Sequence, residues 1–294
     1  MMNRRPLSNR DCHVSIVCQS LSERTRILGS GRAFAHRSLF TFVVNQRRKG
    51  LKMSMVISSL NPYTKDLARR TMSAWAFYYI VGDALINKKP LSTVRMGDGE
   101  RTIIDACVAA NAAGKGNQPI DVYDQAKRLR MGIDGITYND LYRRLLRAGN
   151  ECTHFCPSVS GLTQDAYALH QFFHYRDQYV DNFFVNIWDT ESKATLFRTA
   201  ERVLLIHANP ATADAMQINC QKLFGVRVDF IQMSAWQQAE KVVERACAGA
   251  ASLVLFAAGP ASKYISSEIA NNSNKVCLDL GNTTDFWTFA DVKA

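Results

Sequence analysis

From about residue 202 to residue 280 the chain alternates short apolar runs with longer mixed segments. The runs 203–206, 226–231, 253–256 and 276–280 are separated by 210–224, 235–249 and 260–271. Mostly apolar runs of four to six residues suit strands covered on both faces, and the intervening lengths suit helices. The alternation therefore predicts an α/β fold with a mostly parallel sheet and helices on both faces. Ligands of such sheets gather at the carboxyl ends of the strands. That rule singles out two loops, Ala258-Gly259-Pro260-Ala261-Ser262-Lys263 and Gly281-Asn282-Thr283-Thr284-Asp285.

The first half of the body carries the same pattern less clearly. Asn61-Pro62 looks like a helix start, and helix-forming residues continue to about Lys88, ahead of Pro90. Residues 91–96 read as a strand, 101–113 as a helix and 114–117 as a loop. Thr137 and Asp140 make a capping pattern ahead of Leu141, Leu145 and Ala148 on one helical face. Short strands are expected at 152–156 and 183–188, with a helix around 165–179 between them.

The 294 residues carry a formal charge of +10, but the charge is uneven. Residues 1–52 hold 11 Lys/Arg and 2 Asp/Glu, leaving 25 basic and 24 acidic residues in positions 53–294. The body is nearly neutral, so no nucleic-acid partner is expected for it. The first 52 residues read as a disordered basic extension or as an upstream stretch before a true start at Met53 or Met55. A transit-type peptide and an arm touching acidic lipid or nucleic acid are the other readings. The longest apolar run outside them, 74–81, falls well short of the roughly 20 residues that cross a bilayer, so no transmembrane helix is expected. Eight cysteines without a secretory signal suggest buried reduced thiols and a cytoplasmic protein, with peripheral membrane contact left open.

Chemistry concentrates in Arg95-Met96-Gly97-Asp98-Gly99-Glu100, at a strand-to-helix corner. Asp98 and Glu100 suit a shared divalent cation, and Gly97 and Gly99 let a phosphate approach the backbone. A tight turn in which Asp98 caps the helix and Glu100 sits in its first turn explains the acids equally well. Arg95 beside them tilts the balance toward a metal-bound phosphate. Gly259-Pro260 is ordinary strand-to-helix punctuation, to which Ser262 and Lys263 add a hydroxyl and a cation. His170 and His174 would share a helix face, but Gln171 stands where a metalloprotease has its glutamate. Cys152, His154 and Cys156 alternate onto one strand face about 6.6–6.8 Å apart, which favours core packing over a metal site. Trp75, Phe77, Tyr78 and Tyr79 are expected to pack a helix against the sheet.

The Arg-Met-Gly-Asp-Gly-Glu hexapeptide resembles the Arg-Phe-Gly-Asp-Gly-Glu signature of the GT-D fold glycosyltransferases. Residues 255–263 and 277–281 are similar to that family's Leu-Gly-Pro-Thr-Ala-Lys and Asp-Ile-Gly-His stretches, in the same order. The resemblance implies a Rossmann-like domain moving a sugar from a nucleotide-diphosphate donor, expected to be a UDP-sugar, to a hydroxyl of a glycan, glycoprotein or other acceptor. It implies Mn²⁺ or Mg²⁺ on Asp98 and Glu100, with Arg95, Gly97, Gly99, Gly259, Pro260, Ser262, Lys263, Asp279, Gly281 and Asn282 around the donor. Three departures stand out, the first being Ala261-Ser262 where the family tends to have Thr-Ala after Gly-Pro. Asn282 replaces the family's histidine, and the family's acidic tail is shortened to Thr284-Asp285-Phe286-Trp287. Asp285 is the candidate general base. A metal-dependent phosphohydrolase using the same carboxylates, or a nucleotide-binding domain without turnover, are the competing functions.

Overall fold

In the computed structural model the described residues are 66–158, apart from 68, and 172–292. The basic extension, the helix start at Asn61-Pro62 and His170 lie outside them, as does the side chain of Asp98. The described residues belong to the compact unit Pro62–Ala294.

In chain order the elements are β1 (Thr71–Met72), α1 (Ala74–Ile86), β2 (Leu91–Met96), α2 (Asp98–Ala112), α3 (Gln125–Arg130), α4 (Tyr138–Glu151) and β3 (His154–Pro157). There follow β4 (Tyr179–Val180), α5 (Phe184–Ile187), α6 (Thr190–Ala200), β5 (Arg202–His207), α7 (Pro210–Phe224), β6 (Arg227–Gln232), α8 (Ala239–Ala248), β7 (Leu253–Ala257), α9 (Ala261–Asn272) and β8 (Val276–Asp279). A 3-10 segment, Gly281–Trp287, closes the fold. β1 pairs with β4, and the other six strands form one all-parallel sheet in the order β3-β2-β8-β7-β5-β6.

Alternation along the central strands feeds two cores. Leu204, Ile206, Val254 and Phe256 face one core with α2, α4, α8 and α9, whereas Val203, Leu205, Leu253 and Leu255 face the other with α1, α6 and α7. This is the doubly covered sheet that the apolar runs predict, and it explains why those strands lack a polar face. Local chemistry fixes the helix ends. Asn209 caps α7 by accepting from the Ala211 N–H at 3.0 Å, Pro210 takes the first turn and Gly225 ends the helix at φ 67°. Thr137 caps α4 by accepting from the Asp140 N–H at 3.1 Å, as its sequence pattern predicts.

Two expected elements are different. Residues 183–188 do not form a strand but contain the short helix α5, because Phe184 and Trp188 turn together into an aromatic cluster with Phe77. The helix expected to reach Tyr179 is absent from the described residues 172–179, where Tyr179 instead opens β4. Cys152, His154 and Cys156 are packing residues. The His154 ring lies edge-on to Phe77 at 4.9 Å, and burial, helped by the Arg176 charge, pushes its pKa down to about 4. Burial likewise pushes the Cys152 thiol up to about 12. Among the described residues no helix is long and apolar enough to cross a membrane.

Strand order sets where a ligand can sit. From β5 the chain passes through α7 to β6 on one flank, then through α8 to β7 on the other flank, and α7 and α8 pack on opposite cores. The carboxyl ends of β5 and β7 thus bracket a topological switch point. A small open cleft lies there, lined by Arg130, Gly132, Ala208, Ser234, Ala257 and Gly259 among others.

Candidate functional site

The three motifs that lie far apart in the sequence meet at the carboxyl edge of β2 and β8. Lys263, in the first turn of α9, places its ammonium 3.0 Å from Glu100 Oε1 and 3.1 Å from Asp279 Oδ2. The contact with Asp279 is an ion pair without the alignment of a hydrogen bond. All three groups are withdrawn from water, with side-chain exposures of 7% for Lys263, 17% for Glu100 and 0% for Asp279. Glu100 also reaches back to accept from the Gly97 N–H at 3.0 Å, which is half of a capping box because glycine has no side chain to complete it.

Packing between β2 and β8 explains how Asp279 reaches this cluster. The ladder between the strands ends after Leu91↔Val276 and Ser92↔Cys277. Beyond it, the Thr93 hydroxyl accepts the Asp279 N–H at 2.8 Å, and Ser266 donates to the Thr93 carbonyl at 3.0 Å. Arg95 completes the bridge. Its Nε donates to the Asn182 carbonyl at 2.7 Å and its Nη1 to the Leu280 carbonyl at 2.5 Å. Arg95, expected to face a phosphate, is thus a staple across diverging strands. Gly281 is part of that staple: at φ 55° it sits where a Cβ would lie 3.1 Å from Arg95 Nη1.

The remaining expected residues divide by role. Ser262 is fully buried, and its hydroxyl accepts the Ala258 N–H at 2.8 Å, so it shapes its own loop. Pro260 caps α9, and Gly259, at φ 59°, brings the loop against α3, where a Cβ would lie 2.7 Å from the Met131 carbonyl oxygen. Asn282 and Asp285 are exposed on the 3-10 segment, which Trp287 anchors in the core. Gly97 and Gly99 are different again. Neither adopts a positive φ, a Cβ on Gly97 would meet nothing closer than 3.7 Å, and one on Gly99 nothing within 4 Å. The protein's own packing asks for neither glycine.

The charges hold one another. Burial alone would raise the Glu100 carboxyl, but the Lys263 ammonium and the Gly97 N–H outweigh it and leave Glu100 below its usual range. For Lys263, burial pulls down, yet Asp279 and Glu100 together leave the ammonium above its ordinary value. The sign of the pH dependence follows. The Glu100 contribution to stability is present above its ordinary pKa of 4.5 and is lost as pH falls through its lower folded value. The Lys263 contribution is complete below 10.5 and is lost only as pH rises through its higher folded value. We expect urea midpoints to stay level near neutrality and to fall on the acid side, with Glu100→Gln losing less over the same descent. An equal acid loss in the variant would show that Glu100 is not held by these partners.

The divalent ion expected on Asp98 and Glu100 does not fit Glu100 as it is placed. Both carboxylate oxygens already have partners, and an ammonium stands between this acid and Asp279. Among the described residues no group of three or more His, Cys, Asp or Glu side chains is arranged to hold a metal.

Two residues here were not selected from the sequence. Asn182 lies next to Gly97 and its carbonyl receives Arg95, a position that only the tertiary fold creates. His207 ends β5 beside the switch point, and its Nδ1 accepts the Asn209 N–H at 2.8 Å. Burial lowers the His207 pKa, while the Asn209 backbone and the charge of Asp285 oppose the shift. A signal for His207 was present, since Asn209-Pro210 repeats the strand-to-helix punctuation of Gly259-Pro260.

Residues 168–287 match a family model described as a GT-D fold-like domain. That range includes Asn182, Lys263 and Asp279 but not the hexapeptide ending in Glu100. A solved structure described as "The highly conserved domain of unknown function 1792 has a distinct glycosyltransferase fold" aligns with a TM-score of 0.43 and 16% identity. The alignment covers 76% of this chain and 89% of that one. No curated protein matches the chain. The stretch from 168 to 287 is thus GT-D-like.

Proposed function

We propose that this chain is a glycosyltransferase whose donor is a nucleotide-diphosphate sugar, a UDP-sugar in the first instance. The GT-D-like match supports the class, and one observation carries the site: Gly99 leaves open space in the first turn of a long helix whose Glu100 joins a buried cluster with Lys263 and Asp279. The first turn of a helix offers N–H groups that no intrahelical carbonyl takes, and in α2 the first such bond runs from the Arg101 N–H to the Gly97 carbonyl. With no side chain at 99, an anion can approach that turn from the Gly99 side. The diphosphate is assigned to the α2 turn, and the cleft at the β5–β7 switch point to part of the nucleotide.

In the reaction the bond between the sugar's anomeric carbon and the diphosphate oxygen breaks, and the electron pair leaves with the nucleoside diphosphate. The anomeric carbon bonds to the acceptor oxygen, whose proton passes to a base. Positive charge beside the leaving group favours this step, because preorganised charge in a dry site costs no reorganisation as the transition state forms. The α2 N-terminus and Lys263 supply it, and no step of this reading runs through a metal. Asp285, exposed and within electrostatic reach of His207, is assigned as the acceptor's base.

The test is turnover of UDP-, GDP-, ADP- and dTDP-sugars by the full chain with a panel of hydroxyl acceptors, followed by product analysis. Sugar transferred to an acceptor supports the reading. Release of free sugar or phosphate regardless of acceptor would replace it with a hydrolase. In the same assay Asp285→Asn should lower kcat by roughly 100-fold or more with little change in donor KM. An unchanged kcat would remove Asp285 from the mechanism.

A further inference from the structure

We propose that the outward face of α1 docks on an anionic lipid bilayer: Trp75, Tyr79 and Ile86 enter the headgroup region, while basic residues on either side of the helix in the chain meet the lipid charge. The proposal does not depend on the glycosyltransferase reading.

α1 is apolar on both sides. Phe77, Val81, Ala84 and Leu85 fill the second core, and Tyr78 packs beside them with its hydroxyl donating to the Ser192 carbonyl at 3.2 Å. Trp75 and Tyr79, expected to pack the same way, instead stand 38% and 73% exposed, and Ile86 is 70% exposed. At 3.6 residues per turn these three fall within roughly 40° of one another, in a stripe about 16 Å long. Asp83 is the sole charged residue of α1. Its carboxylate is already taken by Lys89 at 3.0 Å and by the Asn87 amide at 2.7 Å. A helix face that meets water carries polar residues, and one that is apolar as well calls for a cover.

Charge selects the cover. Residues 1–52, with 11 Lys/Arg and 2 Asp/Glu, precede α1 in the chain, and Lys88 and Lys89 follow it directly. An anionic bilayer offers both halves of the match: apolar depth for the stripe and negative charge for its surroundings. Trp and Tyr are the side chains that favour this boundary. Single-stranded nucleic acid also stacks on aromatic rings, but its backbone follows basic side chains, and α1 itself has none. A second copy would bring another basic extension up to the first, like charge against like. With 13 residues α1 is too short to span a bilayer, so the helix lies on the surface.

The experiment sediments the full-length chain with vesicles of phosphatidylcholine, alone or mixed with phosphatidylserine, and repeats the titration with brominated acyl chains that quench tryptophan on contact. Of the four tryptophans Trp188, Trp236 and Trp287 are buried, so quenching reports Trp75. Mixed vesicles should bind about tenfold or more tightly than neutral ones, less so as salt is raised, and should quench the fluorescence. Tyr79→Ser combined with Ile86→Ser should weaken that binding by about tenfold and remove most of the quenching, with the thermal midpoint unchanged. Trp75→Phe should stay bound and lose the quenching. Equal binding to both vesicle types would overturn the proposal. So would a double variant that is bound and quenched like wild type, since the basic extension alone would then hold the lipid. A lowered midpoint in the double variant would overturn it by showing that the two side chains are covered within the protein. A wild-type dimer in sedimentation velocity, or binding of a single-stranded oligonucleotide, that the double variant loses would give the face to that partner instead.

Discussion

Lys263→Met should destabilise the protein by about 3–5 kcal/mol and abolish donor turnover. The ammonium is the partner that Glu100 and Asp279 share, and both acids are largely or wholly buried. Methionine fills similar space but leaves two carboxylates facing each other without a counter-charge, and removing one member of a buried pair costs far more than the pair contributes net. Urea unfolding measures the first effect and the donor assay the second. Adding Glu100→Gln and Asp279→Asn to Lys263→Met should recover most of the stability, because the stranded charges are gone, while activity stays lost. A single variant as stable as wild type would mean that the cluster is open to water and counter-ions. A triple variant that regained turnover would remove Lys263 from the chemistry.

The parts of this fold that could be read from the sequence are those whose physics is local. The runs from 203 to 280 are legible because strands buried on both faces are apolar throughout and because Asn209-Pro210, Gly225 and Gly259-Pro260 punctuate the helices between them. Residues 183–188 were not, since a short apolar run has no period long enough to separate strand from helix, and contacts with Phe77 decide the outcome. The site shows the same division. That Glu100, Lys263, Asp279 and Arg95 belong to motifs that could meet at one place was legible, and the fold does bring them together. That Arg95 would bind carbonyl oxygens, and that Lys263 would pair with Glu100, was not, because both follow from β2 and β8 parting after Ser92↔Cys277. Asn182 had no sequence signal. Its place, receiving Arg95 on its carbonyl, exists only once the chain is folded.

The four motif glycines should separate cleanly on substitution by alanine, because two serve the protein's own packing and two do not. Gly259→Ala places a methyl 2.7 Å from the Met131 carbonyl oxygen on a backbone at φ 59°. The left-handed conformation and the clash together should cost more than about 2 kcal/mol, and the backbone oxygen has no side-chain freedom with which to yield. Gly281→Ala carries a milder form of the same penalty, since its methyl meets the end of the Arg95 side chain at 3.1 Å, but it loosens the staple that holds β8 to β2. Gly99→Ala should instead leave stability unchanged or raise it by up to about 1 kcal/mol, because alanine is the better helix former and nothing lies within 4 Å of the new methyl. Its effect should fall on the ligand: kcat/KM for the donor should drop by about 100-fold as the methyl displaces the diphosphate from the helix turn. Gly97→Ala should weaken the donor in the same way but cost a few tenths of a kcal/mol or more, because Gly97 is the N-cap, where alanine is the poorer residue. Thermal midpoints and donor kinetics on the same four variants give the answer. If Gly99→Ala bound and turned over donor like wild type, the open turn would be an empty corner of the surface, and the diphosphate would have to be sought at the β5–β7 cleft alone.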